Sequence, residues 1–207
     1  KKDSNFSIVS SKYSSKTIYL RNEVLLKFDQ MYNAALKDGI KLVIISGTRS
    51  FNHQKYIWDR KWAKNIQKMD SISAVKEIMK YSSMPSTSRH HWGTDIDLNN
   101  LENSYFEIGE GKKIFDWLVE NAFKYGFHMT YDNQEETKRT GYKMEKWHWS
   151  YMPISEQFLI QFNEYINCEN ISSFKGSKFA CHPKVDVIKN FVNGINTDFK
   201  KIINVTE

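Results

Sequence analysis

The longest aliphatic run in the chain, Leu42-Val43-Ile44-Ile45, passes through Ser46 into the polar turn Gly47-Thr48-Arg49-Ser50. A run this short falls far below the ~18 apolar residues that a membrane-spanning helix needs. The chain therefore reads as soluble, and the run reads as one buried β-branched strand that delivers Arg49 to a strand's end. The elements around it differ in kind. Arg21 to Lys37 places Leu25, Phe28, Tyr32 and Ala35 at helical spacing, with Gly39 as a stop. Ser50 is placed to cap a helix from Phe51 to about Met69, and Asp70 or Ser71 one running to about Tyr81.

Ser82 to Ser88 is loop-like in composition, and Thr94 to Leu98 alternates as a short strand does. A helix is expected over Gly111 to Tyr125 and strands over Phe127 to Tyr131 and Tyr142 to Tyr151, with the charged stretch Asp132 to Thr140 between the two strands. Helices are expected again over Ser155 to Asn167 and Pro183 to Val192. Helices and strands are mixed without a regular βαβ alternation, which predicts an α+β fold with an antiparallel sheet. At 207 residues with 40% hydrophobic content there is enough apolar surface for one packed domain. We expect a main unit over 1–166 and a C-terminal helical appendage over 167–207.

Lys and Arg exceed Asp and Glu by 30 to 24, so the surface should attract anionic polymers. No block of like charge or basic-aromatic interleaving is present, and nucleic acid is not an expected partner. Cys168 and Cys181 would close a short loop if bonded, adding about 3 kcal/mol by restricting the unfolded chain; the spacing equally allows two thiols. The chain begins Lys1-Lys2-Asp3, with neither Met nor an apolar leader.

Two clusters carry chemistry. In Ser88-Arg89-His90-His91-Trp92-Gly93-Thr94-Asp95-Ile96-Asp97, a glycine turn separates His90 from Asp97, and Asp95 shares a strand face with Asp97. In Glu145-Lys146-Trp147-His148-Trp149, a strand would point His148 away from both tryptophans. Two imidazoles and a carboxylate form a usual set for catalytic zinc, and a carboxylate beside the site, such as Glu145, can act as general base in amide hydrolysis. Spacing alone leaves the plainer reading open, in which these histidines are core or surface residues and the Trp-rich strand is simply core. For His128, His91 and His182 that plainer reading prevails.

The sequence resembles the zinc D-alanyl-D-alanine and L,D-carboxypeptidases of the VanY type, within the LAS metallopeptidases of peptidase family M15. The pattern S-x-H-x-x-G-x-A-x-D followed by E-x-x-H is matched by Ser88, His90, Gly93, Asp97, Glu145 and His148. Ser46-Gly47-Thr48-Arg49-Ser50 with Gln54, Tyr125-Gly126-Phe127, and Trp147-His148-Trp149 with Tyr151 match further motifs, in order, over roughly Tyr19 to Tyr151. The resemblance implies a small antiparallel sheet flanked by helices, with a Zn2+ site in a cleft at the sheet, the LAS/hedgehog-like fold. It implies His90, Asp97 and His148 as ligands and Glu145 as general base. Arg49 would stabilise the oxyanion or hold a substrate carboxylate, and Ser88 and Gln54 would line the substrate pocket.

Three positions depart from the pattern. Asp95 stands for the usual Ala and is expected to hydrogen-bond a ligand or alter substrate choice; Lys146 stands for Pro and Ser150 for Arg. The implied activity is removal of a C-terminal D-Ala from peptidoglycan stem peptides, D,D- or L,D-specific. An endopeptidase of the same fold and a non-catalytic, zinc-stabilised wall-binding module are the alternatives. The expected protein is a monomer, periplasmic or at the cell surface, with a signal peptide removed.

Overall fold

A computed structural model describes residues 3–198. The chain enters through a two-stranded antiparallel ribbon, β1 (Phe6–Ile8) and β2 (Tyr19–Arg21), and continues into α1 (Asn22–Lys37). Val24, Phe28, Met31, Tyr32 and Ala35 form the buried stripe of α1. The helix ends where Gly39 takes φ +76° and Ile40 N–H donates to Ala35 O at 2.8 Å, satisfying a carbonyl that the helix leaves open.

Next come β3 (Ile44–Ser46), α2 (Phe51–Asn65), α3 (Ser71–Ile78), β4 (Asp95–Leu98), α4 (Gly109–Asn121), β5 (Phe127–Met129), the single turn α5 (Gln134–Thr137), β6 (His148–Tyr151) and α6 (Met152–Tyr165). Four strands form one antiparallel sheet in the order β3-β4-β6-β5. Its register pairs Asp95 with Ser150, Ile96 with Trp149 and Asp97 with His148. Because strand side chains alternate, one face carries Asp95, Asp97, His148 and Ser150, and the other Ile96, Leu98, Trp149 and Tyr151. The apolar face packs with α1 and α4 into the main core; Phe28 meets Phe127 edge-on at 6.4 Å.

A second core lies beside α2 and α3. Trp58, Val75, Ile78, Met79 and Met84 pack there with Ile171, Phe174, Ala180, Val185 and Val187 from the C-terminal segment. Trp58 Nε1 donates to Lys175 O at 2.7 Å, and Cys168 and Cys181 are joined by a disulfide.

Several elements are shorter than the sequence pattern suggests. The strand expected over 41–46 is assigned only from Ile44, because the Asn99 side chain receives Val43 N–H and donates to Lys41 O in place of a neighbouring strand. The strand expected over 142–151 begins only at His148. Before it, Glu145 N–H donates to Tyr131 O and Lys146 N–H to Asn103 Oδ1. In place of an α-helix over Pro183 to Val192, a turn at His182 to Asp186 leads into a π-helical stretch, Val187–Val192, which seats Val185 and Val187 in the second core.

Candidate active site

The polar sheet face forms the floor of a cleft of about 770 Å³, bordered among others by Thr48, Lys61, Ser88, Tyr131 and Trp147. After the 82–88 loop, Arg89 to Trp92 makes one 3-10 turn, which stops at Gly93 with φ +74°. A Cβ at Gly93 would lie 2.3 Å from the Phe6 ring, so this backbone position requires glycine on both counts. The turn aims His90 back at the sheet. His90 Nδ1 lies 2.8 Å from Gly47 O, and since a carbonyl only accepts, that nitrogen carries the proton. Nε2 is left facing Asp97, 3.3 Å from Oδ2.

Asp97 and His148 come from adjacent strands in direct register, with Asp97 Oδ1 3.1 Å from His148 Nδ1. The imidazoles of His90 and His148 meet edge to face at 4.9 Å. One donor atom from each of His90, Asp97 and His148 lies within 4.8 Å of the other two, and all three residues are buried. Two imidazole nitrogens and one carboxylate oxygen, converging from buried residues at the cleft floor, fit a divalent ion of zinc type and leave a coordination position open.

Glu145 sits at the edge of this cluster, its Oε2 3.7 Å from His148 Nδ1. On a continuous strand, residues three apart would face opposite sides. The turn closed by His148 N–H donating to Glu145 O, at 3.1 Å, brings both side chains to one side instead. Trp147, just ahead of β6, borders the cleft with Tyr81, their rings 6.4 Å apart, and like Trp149 is buried in the main core.

The electrostatics follow from burial and neighbours. Burial raises the Glu145 carboxyl to about 8, with Asp97's charge adding to the rise and His148, Arg49 and Lys61 opposing it. Burial disfavours ionisation of Asp97 too, but His90, His148 and Arg49 hold its carboxyl well below the usual range. His148 is buried as well, yet hydrogen bonds to Asp95 and Asp97 outweigh the desolvation and lift it to about 9 in the metal-free protein. His90, desolvated and near Arg49, is shifted down.

Arg49 leaves β3 at the cleft wall. Its Nη2 donates to Asp97 Oδ2 at 2.7 Å, Nη1 to Gln54 Oε1 at 3.2 Å and Nε to Ser46 Oγ at 3.1 Å. Gln54 is fully buried, does not border the cleft, and ties Arg49 to the loop through Ser83 O at 2.8 Å. Ser88 borders the cleft, and Asp95 lies beneath His148, with Oδ1 3.0 Å from Nε2. Sequence reading gave no role to Arg89, which pairs with Asp95 at 2.9 Å, or to Lys61, whose ammonium donates to Ser82 Oγ within the cleft. Neither residue stands at a motif spacing that would have singled it out.

The family described as VanY, D-alanyl-D-alanine carboxypeptidase, matches residues 17–154. A putative carboxypeptidase, YodJ, of Bacillus subtilis is 33% identical over 153 residues, 70% of this chain and 51% of that protein. A D-alanyl-D-alanine carboxypeptidase of Enterococcus faecalis is 30% identical over 147 residues, 67% of this chain and 52% of that protein. The chain thus spans about half the length of these curated relatives. In fold it is similar to the vancomycin-resistance D,D-pentapeptidase VanY of a VanB-type cassette, solved in complex with Zn(II). That likeness has a TM-score of 0.56 at 24% identity, over 78% of this chain and 94% of that one. With two thirds of its length matched by the family and the site motifs inside that span, the chain belongs to the VanY family of D-alanyl-D-alanine carboxypeptidases.

Proposed function

We propose that this protein is a zinc-dependent carboxypeptidase that removes a terminal D-Ala from peptidoglycan stem peptides. The observation that carries the reading is the convergence of His90, Asp97 and His148 at the cleft floor with Glu145 at their edge. A zinc ion held by the three residues would supply Lewis acidity toward the scissile carbonyl and toward water. Glu145 then takes a proton from the attacking water as its oxygen bonds to the carbonyl carbon. It returns that proton to the amine nitrogen as the C–N bond breaks.

Arg49 holds Asp97 in place through one Nη2 bond, and its guanidinium at the cleft wall is suited to the negative charge that develops on the carbonyl oxygen. Ser88 lines the pocket beside the substrate, and Gln54 acts through Arg49. The names of the Bacillus and Enterococcus relatives support a carboxypeptidase, and the latter's name supports D-alanyl-D-alanine as the bond cut. A site outside the cytoplasm goes with that substrate, and the Cys168–Cys181 disulfide suits an oxidising compartment.

The test is mass spectrometry of penta- and tetrapeptide muropeptides incubated with the zinc-loaded protein, with and without chelator. Loss of one Ala from either stem, abolished by chelator and lowered about 100-fold or more in Glu145→Gln, is expected. Products larger than one residue would move the reading to an endopeptidase. Wall binding with no product would move it to a binding module.

A further inference from the structure

A histidine that serves as a metal ligand must present one ring nitrogen unprotonated and hold its ring still, and the partner of the other nitrogen does both. For His90 that partner is a backbone carbonyl, Gly47 O. For His148 it is a carboxylate: Asp95 Oδ1 lies 3.0 Å from His148 Nε2, on the ring edge opposite Asp97 and Glu145. Asp95 is fully buried, and a lone carboxylate there would stand two residues from Asp97 on the same strand face, charge against charge.

What makes it tolerable is Arg89, itself 2% exposed. Its Nε donates to the same Asp95 Oδ1 at 2.9 Å, its Nη2 to Ser150 Oγ at 2.7 Å, and its guanidinium lies over the Trp92 ring at 4.8 Å. Thr94 Oγ1 donates to Asp95 Oδ2, so both carboxylate oxygens are engaged. Positions 95 and 150, two of the three departures in sequence, thus meet at one guanidinium.

We propose that Asp95 is a positioning residue that fixes His148 in the Nε2–H form, with Nδ1 turned to the metal, and that Arg89 is the buried counter-charge that holds Asp95 in place. The proposal rests on the zinc reading above. In effect, the site presents His148 with a negatively charged support and His90 with a neutral one. The charged support raises the ligand basicity of His148 and strengthens metal binding.

Chelator competition on the full chain, with zinc as the probe, tests this directly. Asp95→Ala is expected to weaken zinc about 10- to 100-fold, and Asp95→Asn, which keeps an acceptor, to recover part of the loss. In zinc-loaded, 15N-histidine-labelled protein, the His148 Nε2–H proton is expected as a slowly exchanging signal that Asp95→Ala abolishes. If Asp95→Ala does not fold, Arg89→Gln combined with Asp95→Asn removes both charges while keeping hydrogen-bonding groups, and must still bind zinc more weakly than wild type.

Zinc affinity within twofold of wild type in the folded variant, or an unchanged Nε2–H signal, overturns the proposal. Neither readout involves peptide cleavage. A protein that shows both effects yet cleaves nothing would therefore refute the carboxypeptidase reading and leave Asp95's role standing, whereas full cleavage without these effects would do the reverse.

Discussion

Asp97 and His148 stand directly opposite each other across the β4–β6 ladder, Oδ1 to Nδ1 at 3.1 Å. Two of the three candidate metal donors are therefore set relative to each other by sheet hydrogen bonds, and only His90 depends on a turn. Such a preformed site binds its ion in the folded state and not in the unfolded chain, so zinc should stabilise the protein. At a free zinc concentration of ~100 times Kd the gain is about 2.7 kcal/mol. A clear rise in Tm on adding zinc to chelator-treated wild type, absent in His90→Ala, is the expected result; equal rises in both would exclude His90 from the metal site.

Lys61 projects from α2 into the cleft, and no carboxylate lies within 4.0 Å of its ammonium among the described residues. Arg49, by contrast, is already committed to Asp97 and Gln54. Lys61 is thus the cleft cation better placed to receive a peptide carboxylate. Lys61→Met, which keeps most of the aliphatic stem, should raise KM about tenfold or more with a smaller change in kcat. Steady-state kinetics on a stem peptide and its C-terminal amide decide the matter, and an equal penalty on both substrates would remove Lys61 from carboxylate recognition.

Burial pulls the His128 imidazole down to about 4 from its ordinary 6.5. A depressed histidine favours the folded state above its unfolded pKa and loses that contribution as pH falls, because the unfolded chain then binds the proton first. Urea titrations should show stability falling between about pH 6.5 and 4, with a shallower slope in His128→Asn. Identical slopes would mean that the titrating groups on the acid side lie elsewhere.

The C-terminal segment is expected to contribute strongly to stability. Trp58 is fully buried beneath it, and Trp58→Ala should cost about 3–5 kcal/mol through the cavity and the lost bond to Lys175 O. Reducing the Cys168–Cys181 bond should cost about 3 kcal/mol more. Denaturant midpoints of the variant, measured with and without reductant, check both numbers.

Much of this site could be read from sequence because its groups are carried by local patterns. The 90–97 spacing across a glycine brings two candidate metal donors together and the 145–148 spacing brings a third beside the candidate base, each within one short segment, and strand alternation put Asp95 on the face of Asp97. The parts that could not be read are those fixed by distant partners. Arg89 finds Ser150 61 residues away, and Lys61 finds Ser82 21 residues away, with no periodicity to report either contact. The resemblance puts Gln54 in the lining of the substrate pocket, yet Arg49 and the Ser83 carbonyl, contacts that no local pattern reports, hold it in the interior off the cleft. The ends of the strands at 41–43 and 142–147 differ from the sequence pattern because the side chains of Asn99 and Asn103, together with loop backbone, take up backbone groups that a regular ladder would pair.

The alternation along β4 and β6 also bears on how the molecule can fluctuate. Each candidate metal ligand on these strands is one residue away from a side chain locked in the main core: Asp97 from Ile96 and Leu98, His148 from Trp149. The sheet floor cannot open without dragging core residues into water, so its amides should exchange as slowly as any in the protein. Any freedom to adapt to a ligand is left to the cleft rim, such as the 82–88 loop, which lies outside the sheet.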